Sequence, residues 1–174
     1  AEQKLGRAWV HYMHKGYALA AYNYAFLMMR LDESAGDEVR ASFRRAAEGG
    51  HVPAAYNYGC LNLFRVQMRS EHLRILDSKN DERYKEMGRV WRDTYQRKAL
   101  VDTLEQPLFS AENSLVNAYL AGHPHAEEVL IAVYGEMDLH GFKPRNSTLK
   151  NQLSGKPYNP GPFEFDRSDV VMIE

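Results

Sequence analysis

The residues most able to do chemistry are seven histidines and one cysteine. His11 and His14 stand three apart, and His123, His125 and Glu128 crowd one short stretch, which are spacings a zinc site can use. Neither set has the His-Glu-x-x-His pattern or a cysteine pair beside it. Cys60 with a neighbouring histidine would make a nucleophile, but Ala54, Ala55 and Gly59 put it in a stripe of small residues, where a buried thiol is inert. There is no glycine-rich phosphate loop, nucleophile elbow or paired-carboxylate signature. The expectation is a protein with no catalytic residues, metal or cofactor. A small metal-dependent enzyme using the histidines is the alternative. Asn146-Ser147-Thr148 has glycosylation spacing, which matters only in a secreted eukaryotic protein.

The chain has 174 residues, enough for one domain with a sizeable core. Its 22 Lys and Arg against 23 Asp and Glu give a net charge of −1, which excludes a general polyanion binder. A single cysteine excludes an intramolecular disulfide, so packing must hold the fold. No apolar run approaches the roughly 20 residues of a membrane-spanning helix, and the mean hydropathy is −0.55. This predicts a soluble chain, cytoplasmic or periplasmic, without membrane insertion. The opening Ala1, Glu2, Gln3, Lys4 fits a mature chain after signal cleavage, removal of an initiator Met, or trimming.

Charge is unevenly placed. Residues 65–98 carry ten basic and six acidic side chains, whereas residues 99–142 carry seven acidic ones and no Lys or Arg. Arg65, Arg69, Arg89 and Arg92 mark a candidate basic surface. Two surfaces of opposite sign would orient a charged protein partner; variation among solvated helix faces is the plainer explanation. The same block could engage RNA through its aromatic and basic residues, but Glu86 and Asp93 interrupt it and favour packing with solvation.

The elements that must position these residues come in repeats. With Gly16 aligned on Gly50, the segments Gly16 to Leu27 and Gly50 to Leu61 match at seven of twelve positions. The matches are Gly16/Gly50, Ala20/Ala54, Ala21/Ala55, Tyr22/Tyr56, Asn23/Asn57, Tyr24/Tyr58 and Leu27/Leu61. A fainter copy lies about two repeat lengths further on, where Ser42, Ala46, Gly50, His51 and Ala54 recur as Ser114, Ala118, Gly122, His123 and Ala126. Trp9, Tyr12 and Gly16 stand where Phe43, Ala46 and Gly50 do, so the chain opens on the second half of a unit. Val39, Phe43, Ala46 and Ala47 form a helical apolar stripe with Arg40, Arg44 and Arg45 turned away. The Gly49-Gly50 pair closes that helix, and Pro53 suits the first turn of the next.

Ala55-Tyr56-Asn57-Tyr58-Gly59 and Arg45-Ala46-Ala47-Glu48-Gly49-Gly50-His51 resemble the Sel1-like repeat family, a relative of tetratricopeptide repeats. The resemblance covers residues 16–64 and extends in part to 110–142. Tyr58 and Ala25 depart from the family's usual Leu and Gly, and the interval from Gly16 to Gly50 is short for one of its units. The resemblance implies an all-α fold, a short right-handed α-solenoid of stacked antiparallel helix pairs with a concave groove. The groove-facing candidates it implies are Tyr22, Asn23, Phe26, Tyr56, Asn57 and Cys60. Tyr24 and Tyr58 are expected to pack between helices. Asn23 and Asn57 are different, because an amide buried twice at the same place needs a partner.

Residues 1–142 thus read as the repeat domain, with a helical insertion over about 65–106. That insertion reads as a hairpin of two charged helices, Phe64 to Leu76 and Arg83 to Glu105, broken at Asp77-Ser78-Lys79-Asn80-Asp81. Residues 143–174 cannot continue the array, since Pro157, Pro160 and Pro162 remove donors and fix the backbone. They are expected to form an extended strap covering an exposed end of the array, or to dock on a partner. The function these features imply is a protein–protein interaction scaffold that takes a protein or peptide in its groove. Bacterial envelope assembly, secretion and effector neutralisation are roles the resemblance suits.

Overall fold

The computed structural model describes residues 2–14, 16–83 and 94–171, and these contain helices and no strand. The helices are α1 (Glu2–His14), α2 (Ala18–Leu31), α3 (Gly36–Glu48), α4 (Val52–Arg83), α5 (Tyr95–Asp102), α6 (Glu105–Leu120), α7 (Ala126–His140) and α8 (Ser147–Leu153). Neighbours pack in pairs: α1 on α2, α2 on α3, α3 on α4, α4 on α6 and α6 on α7.

The repeated glycines make the turns between paired helices. Gly16, Gly50 and Gly122, which occupy matched positions in the sequence repeats, all have φ between +83° and +88°. At that angle a side chain is strained and glycine is not. After α3, the His51 N–H returns to the Ala46 carbonyl (3.0 Å) and the Gly50 N–H to Ala47 (2.9 Å). After α6, His123 and Gly122 repeat the two bonds to Ala118 (2.9 Å) and Tyr119 (3.0 Å). These bonds satisfy carbonyls that the helix end leaves unpaired. They also place a histidine at the same corner of two turns.

The apolar stripe of α3 does what its spacing predicts. Val39, Phe43 and Ala46 are buried against α2 and α4, while Arg44 and Arg45 face solvent and Arg44 pairs with Glu48 at 2.8 Å. Asp37 and Glu38 in the first turn and Arg45 in the last complement the helix dipole. Tyr24 and Tyr58 pack into the interior as expected, and the Tyr24 hydroxyl donates to Glu38. Small residues let the helices approach. Ala20, Ala21, Ala25, Ala54 and Ala55 are buried, and Gly59 lies so close to α6 that a methyl there would overlap the Leu115 side chain.

Two expectations need correction. Asp77–Asp81 does not break the chain: α4 runs unbroken for 32 residues, roughly 48 Å. Polar residues on a helix's solvent side cost only tenths of a kcal/mol each, and Asp77 is fixed by the Arg97 guanidinium at 3.0 Å. The other half of the expected hairpin lies partly outside the described residues; its described part is the short α5, capped by the Thr94 hydroxyl. The segment 143–174 is also not extended throughout, since Ser147–Leu153 forms α8 with Leu149 and Leu153 buried. The buried Glu112 carboxylate fixes the approach to α8 by accepting the N–H groups of Arg145 (3.0 Å) and Asn146 (2.9 Å).

Gly59→Ala is expected to destabilise the chain by about 1–3 kcal/mol through overpacking. Leu115→Ala alone is expected to cost about 2–5 kcal/mol. If the Gly59–Leu115 contact is responsible, urea unfolding of the double variant will show a loss smaller than the sum of the two.

Candidate functional site

Beyond α8 the chain runs as a strap, residues 154–171, across α7, α4 and α2. Tyr158 packs on Gly135 of α7, the Gln67 amide of α4 donates to the Pro160 carbonyl (2.7 Å), and the strap then reaches the Tyr-Asn face. From Gly161 to Phe165 its side chains alternate between half-buried and exposed, as an extended segment on a surface must. The strap therefore lies where the sequence pointed to a partner, rather than over an exposed end of the array.

Two related modules hold it. In one, the Tyr56 hydroxyl donates to the Glu164 carbonyl (3.1 Å), and Asn57 takes both main-chain groups of Asp166. Its Nδ2 donates to the carbonyl (2.8 Å) and its Oδ1 accepts the N–H (2.7 Å). In the other, the Tyr22 hydroxyl donates to the Asp166 carbonyl (2.6 Å), and Asn23 donates to the Asp169 carbonyl (3.3 Å) and accepts the Val171 N–H (2.7 Å). A carboxamide carries a donor and an acceptor side by side, the pairing a peptide backbone offers in return. Asn57 is fully buried, so these bonds satisfy an amide that otherwise would have lost water without replacement. Asn23, 4% exposed, also donates to the Leu19 carbonyl of its own helix (3.0 Å) and takes from the strap the partner of its acceptor.

Each module has a third member that the sequence reading placed only in the turns. His51 lies against Tyr22 with ring centroids 4.4 Å apart and reaches the Asp169 carboxylate at 3.0 Å. His123 stacks on Tyr56 at 4.1 Å and reaches the Asp166 carboxylate at 2.9 Å. In both rings Nδ1 accepts a main-chain N–H, from Ala54 (3.2 Å) and His125 (3.3 Å). An accepting Nδ1 carries no proton, so the neutral ring donates from Nε2 to the carboxylate. The recurrence of His51 and His123 at matched positions was a usable signal for this, of the same kind as the recurring Asn.

Burial lowers the His51 pKa, outweighing the pull of Asp169. Burial alone would raise Asp166, but the N–H and hydroxyl of Ser168 and the His123 ring together hold it below the usual carboxylate range.

The remaining candidates divide. Phe26 meets the strap, with Phe165 edge-on at 6.5 Å and the Arg167 guanidinium 5.3 Å above its ring. Phe165 also lies 5.9 Å from Phe43 and touches both apolar clusters of the core. Cys60 is instead buried in the core, and desolvation pushes its thiol up to about 12, which leaves no thiolate for chemistry. Arg65 is half-buried on α4, and Arg69 donates to the Thr103 carbonyl (2.6 Å). Arg89 and Arg92 lie outside the described residues.

Among the described residues no three His, Cys, Asp or Glu side chains converge as metal ligands. One cleft of about 370 Å³ holds a Ser-His-Glu set that sequence reasoning missed. The Ser70 hydroxyl donates to Glu136 (3.1 Å) and lies 2.5 Å from His140 Nε2, while Glu136 is 3.6 Å from that same nitrogen. A nucleophile relay needs the acid on the opposite ring nitrogen. Here serine and acid share one nitrogen, so the set lacks that arrangement.

No family model, curated protein or solved structure matches this chain. Among the described residues no helix is long and apolar enough to cross a membrane.

Asn57→Ala removes both bonds to Asp166 and is expected to cost about 2–3 kcal/mol. Hydrogen exchange is expected to quicken at residues 164–171 while α6 and α7 stay protected. Acid is expected to loosen the same segment. The folded chain favours ionised Asp166, so this contribution is complete above a pH of about 4 and is lost as the pH falls through the lower folded value. The depressed His51 value acts in the same direction, present above about 6.5 and lost as the pH drops toward its folded value. NMR of the strap amides against pH checks both.

Proposed function

We propose that this chain is a non-catalytic interaction scaffold, a short right-handed α-solenoid of the Sel1-like kind, that takes a protein or peptide as an extended segment on its Tyr-Asn face. The observation that carries the reading is the duplicated Tyr-Asn-His module, each copy engaging the main chain of an extended segment. Main-chain recognition uses atoms that any peptide presents, and a face built on packed helices loses little ordering entropy on binding. The pairing of Arg74 with Glu71 and of Arg97 with Asp77 disfavours RNA as the ligand, since these cations of the basic block are already engaged. Envelope assembly, secretion and effector neutralisation in bacteria are settings that suit such a scaffold.

The test uses a photo-crosslinking side chain in place of Gln67, beside the strap. Irradiation of the isolated protein is expected to join it to residues near Pro160. In extract from the native cells it is expected to join a partner segment instead. A partner that maps reproducibly to the outer face of α3 or to α5 would overturn the assignment of this face.

A further inference from the structure

We infer that the strap is a releasable occupant of the face, and that the partner which replaces it is a segment with aromatic residues at alternate positions followed by two carboxylates three residues apart. This rests on the scaffold reading and specifies its ligand. The strap divides sharply into an anchor and a free-running part. The anchor is α8, with Leu149 and Leu153 buried and its approach held by Glu112. From Ser154 to Val171 no residue is fully buried. Release beyond Leu153 therefore uncovers no fully buried strap side chain, only half-buried ones such as Phe163 and Phe165, and opens the polar Tyr22, Tyr56 and Asn57 groups to water. The hinge has a ready place at Gly155, whose φ is +87°.

The contacts sort into two kinds. Those of Tyr22, Asn23, Tyr56, Asn57 and Gln67 go to main-chain atoms and carry no preference for one sequence. Preference comes from side chains. Phe163 and Phe165 seat against the core, and the Asp166 and Asp169 carboxylates each meet the turn histidine of one module. The histidines are three strap residues apart because the modules are one repeat apart, so the acid spacing is imposed by the face. A neutral imidazole N–H is satisfied by a carboxylate and left unpaired by an apolar residue, which makes the acids the discriminating positions. Tethering gives the strap a millimolar effective concentration, so it excludes weak and mismatched segments.

The experiment uses the full chain and a fluorescein-labelled peptide with the sequence of residues 160–171, read by fluorescence polarisation. The chain carrying Asp166→Ala and Asp169→Ala, checked for native melting, is expected to bind the peptide at least about tenfold tighter than wild type, whose strap competes. A peptide with both aspartates changed to asparagine is expected to bind about tenfold more weakly. As a second variant, a protease site inserted between Ser154 and Pro157 is cut after folding, and the severed strap is expected to exchange for labelled peptide. Equal binding to wild type and loosened chains, binding indifferent to the aspartates, or wild-type dimers by light scattering that trade straps would overturn this inference and leave the scaffold reading standing. Saturable binding in none of the chains, the cut one included, would overturn both.

Discussion

Two buried carboxamides organise this molecule. Asn23 and Asn57 each sit in a helix beside a tyrosine and are buried beneath the strap. An amide in that position costs free energy unless its donor and acceptor are both paired. An extended main chain meets both demands of Asn57 at Asp166. At Asn23, whose donor is shared with the Leu19 carbonyl of its own helix, it supplies the N–H of Val171 and a second acceptor at Asp169. The path of residues 160–171 follows from that requirement, because the two amides are held one repeat apart by packed helices.

The turn histidines belong to the same arrangement. Their position is set by the glycine closure of the preceding helix, which returns the histidine N–H to the carbonyl five residues earlier. Their tautomer is set by a main-chain N–H two or three residues further on, which occupies Nδ1. What remains is one outward N–H per module, aimed at a carboxylate of the strap. Closure of the helix, orientation of the ring and selection of an acidic partner are thus consecutive consequences of one short turn. Phe165 ties the polar contacts to the core, since it lies against the cluster around Phe43 and also against the one built on α4, α6 and α7.

Much of the site was legible from the chain. The duplicated Tyr-Asn pair identified the face, and an amide buried twice at the same place called for the hydrogen-bonding partner it proved to have. The packing of Tyr24 and Tyr58 into the interior was legible for the same periodic reason. The occupant was not, because the strap lies more than 100 residues from the amides it satisfies and its prolines describe only what it cannot form. The continuity of α4 through Asp77 was likewise hidden. Local propensity disfavours a helix there, and a guanidinium twenty residues away at Arg97 compensates. Cys60 is a core residue, as its stripe of small neighbours implied, although the family resemblance had put it among the groove-facing positions.

By itself the sequence determined what local physics controls: helices with one apolar stripe, glycines where the backbone turns left-handed, small residues where helices touch, and a polar pair recurring at a fixed interval. The tertiary structure alone decided which groups separated along the chain satisfy one another. It set the strap across the Tyr-Asn face, matched two aspartates to two histidines, and placed Glu112 under the approach to α8. Burial removes water from those groups, so their partners are chosen by whatever the fold brings within hydrogen-bonding distance.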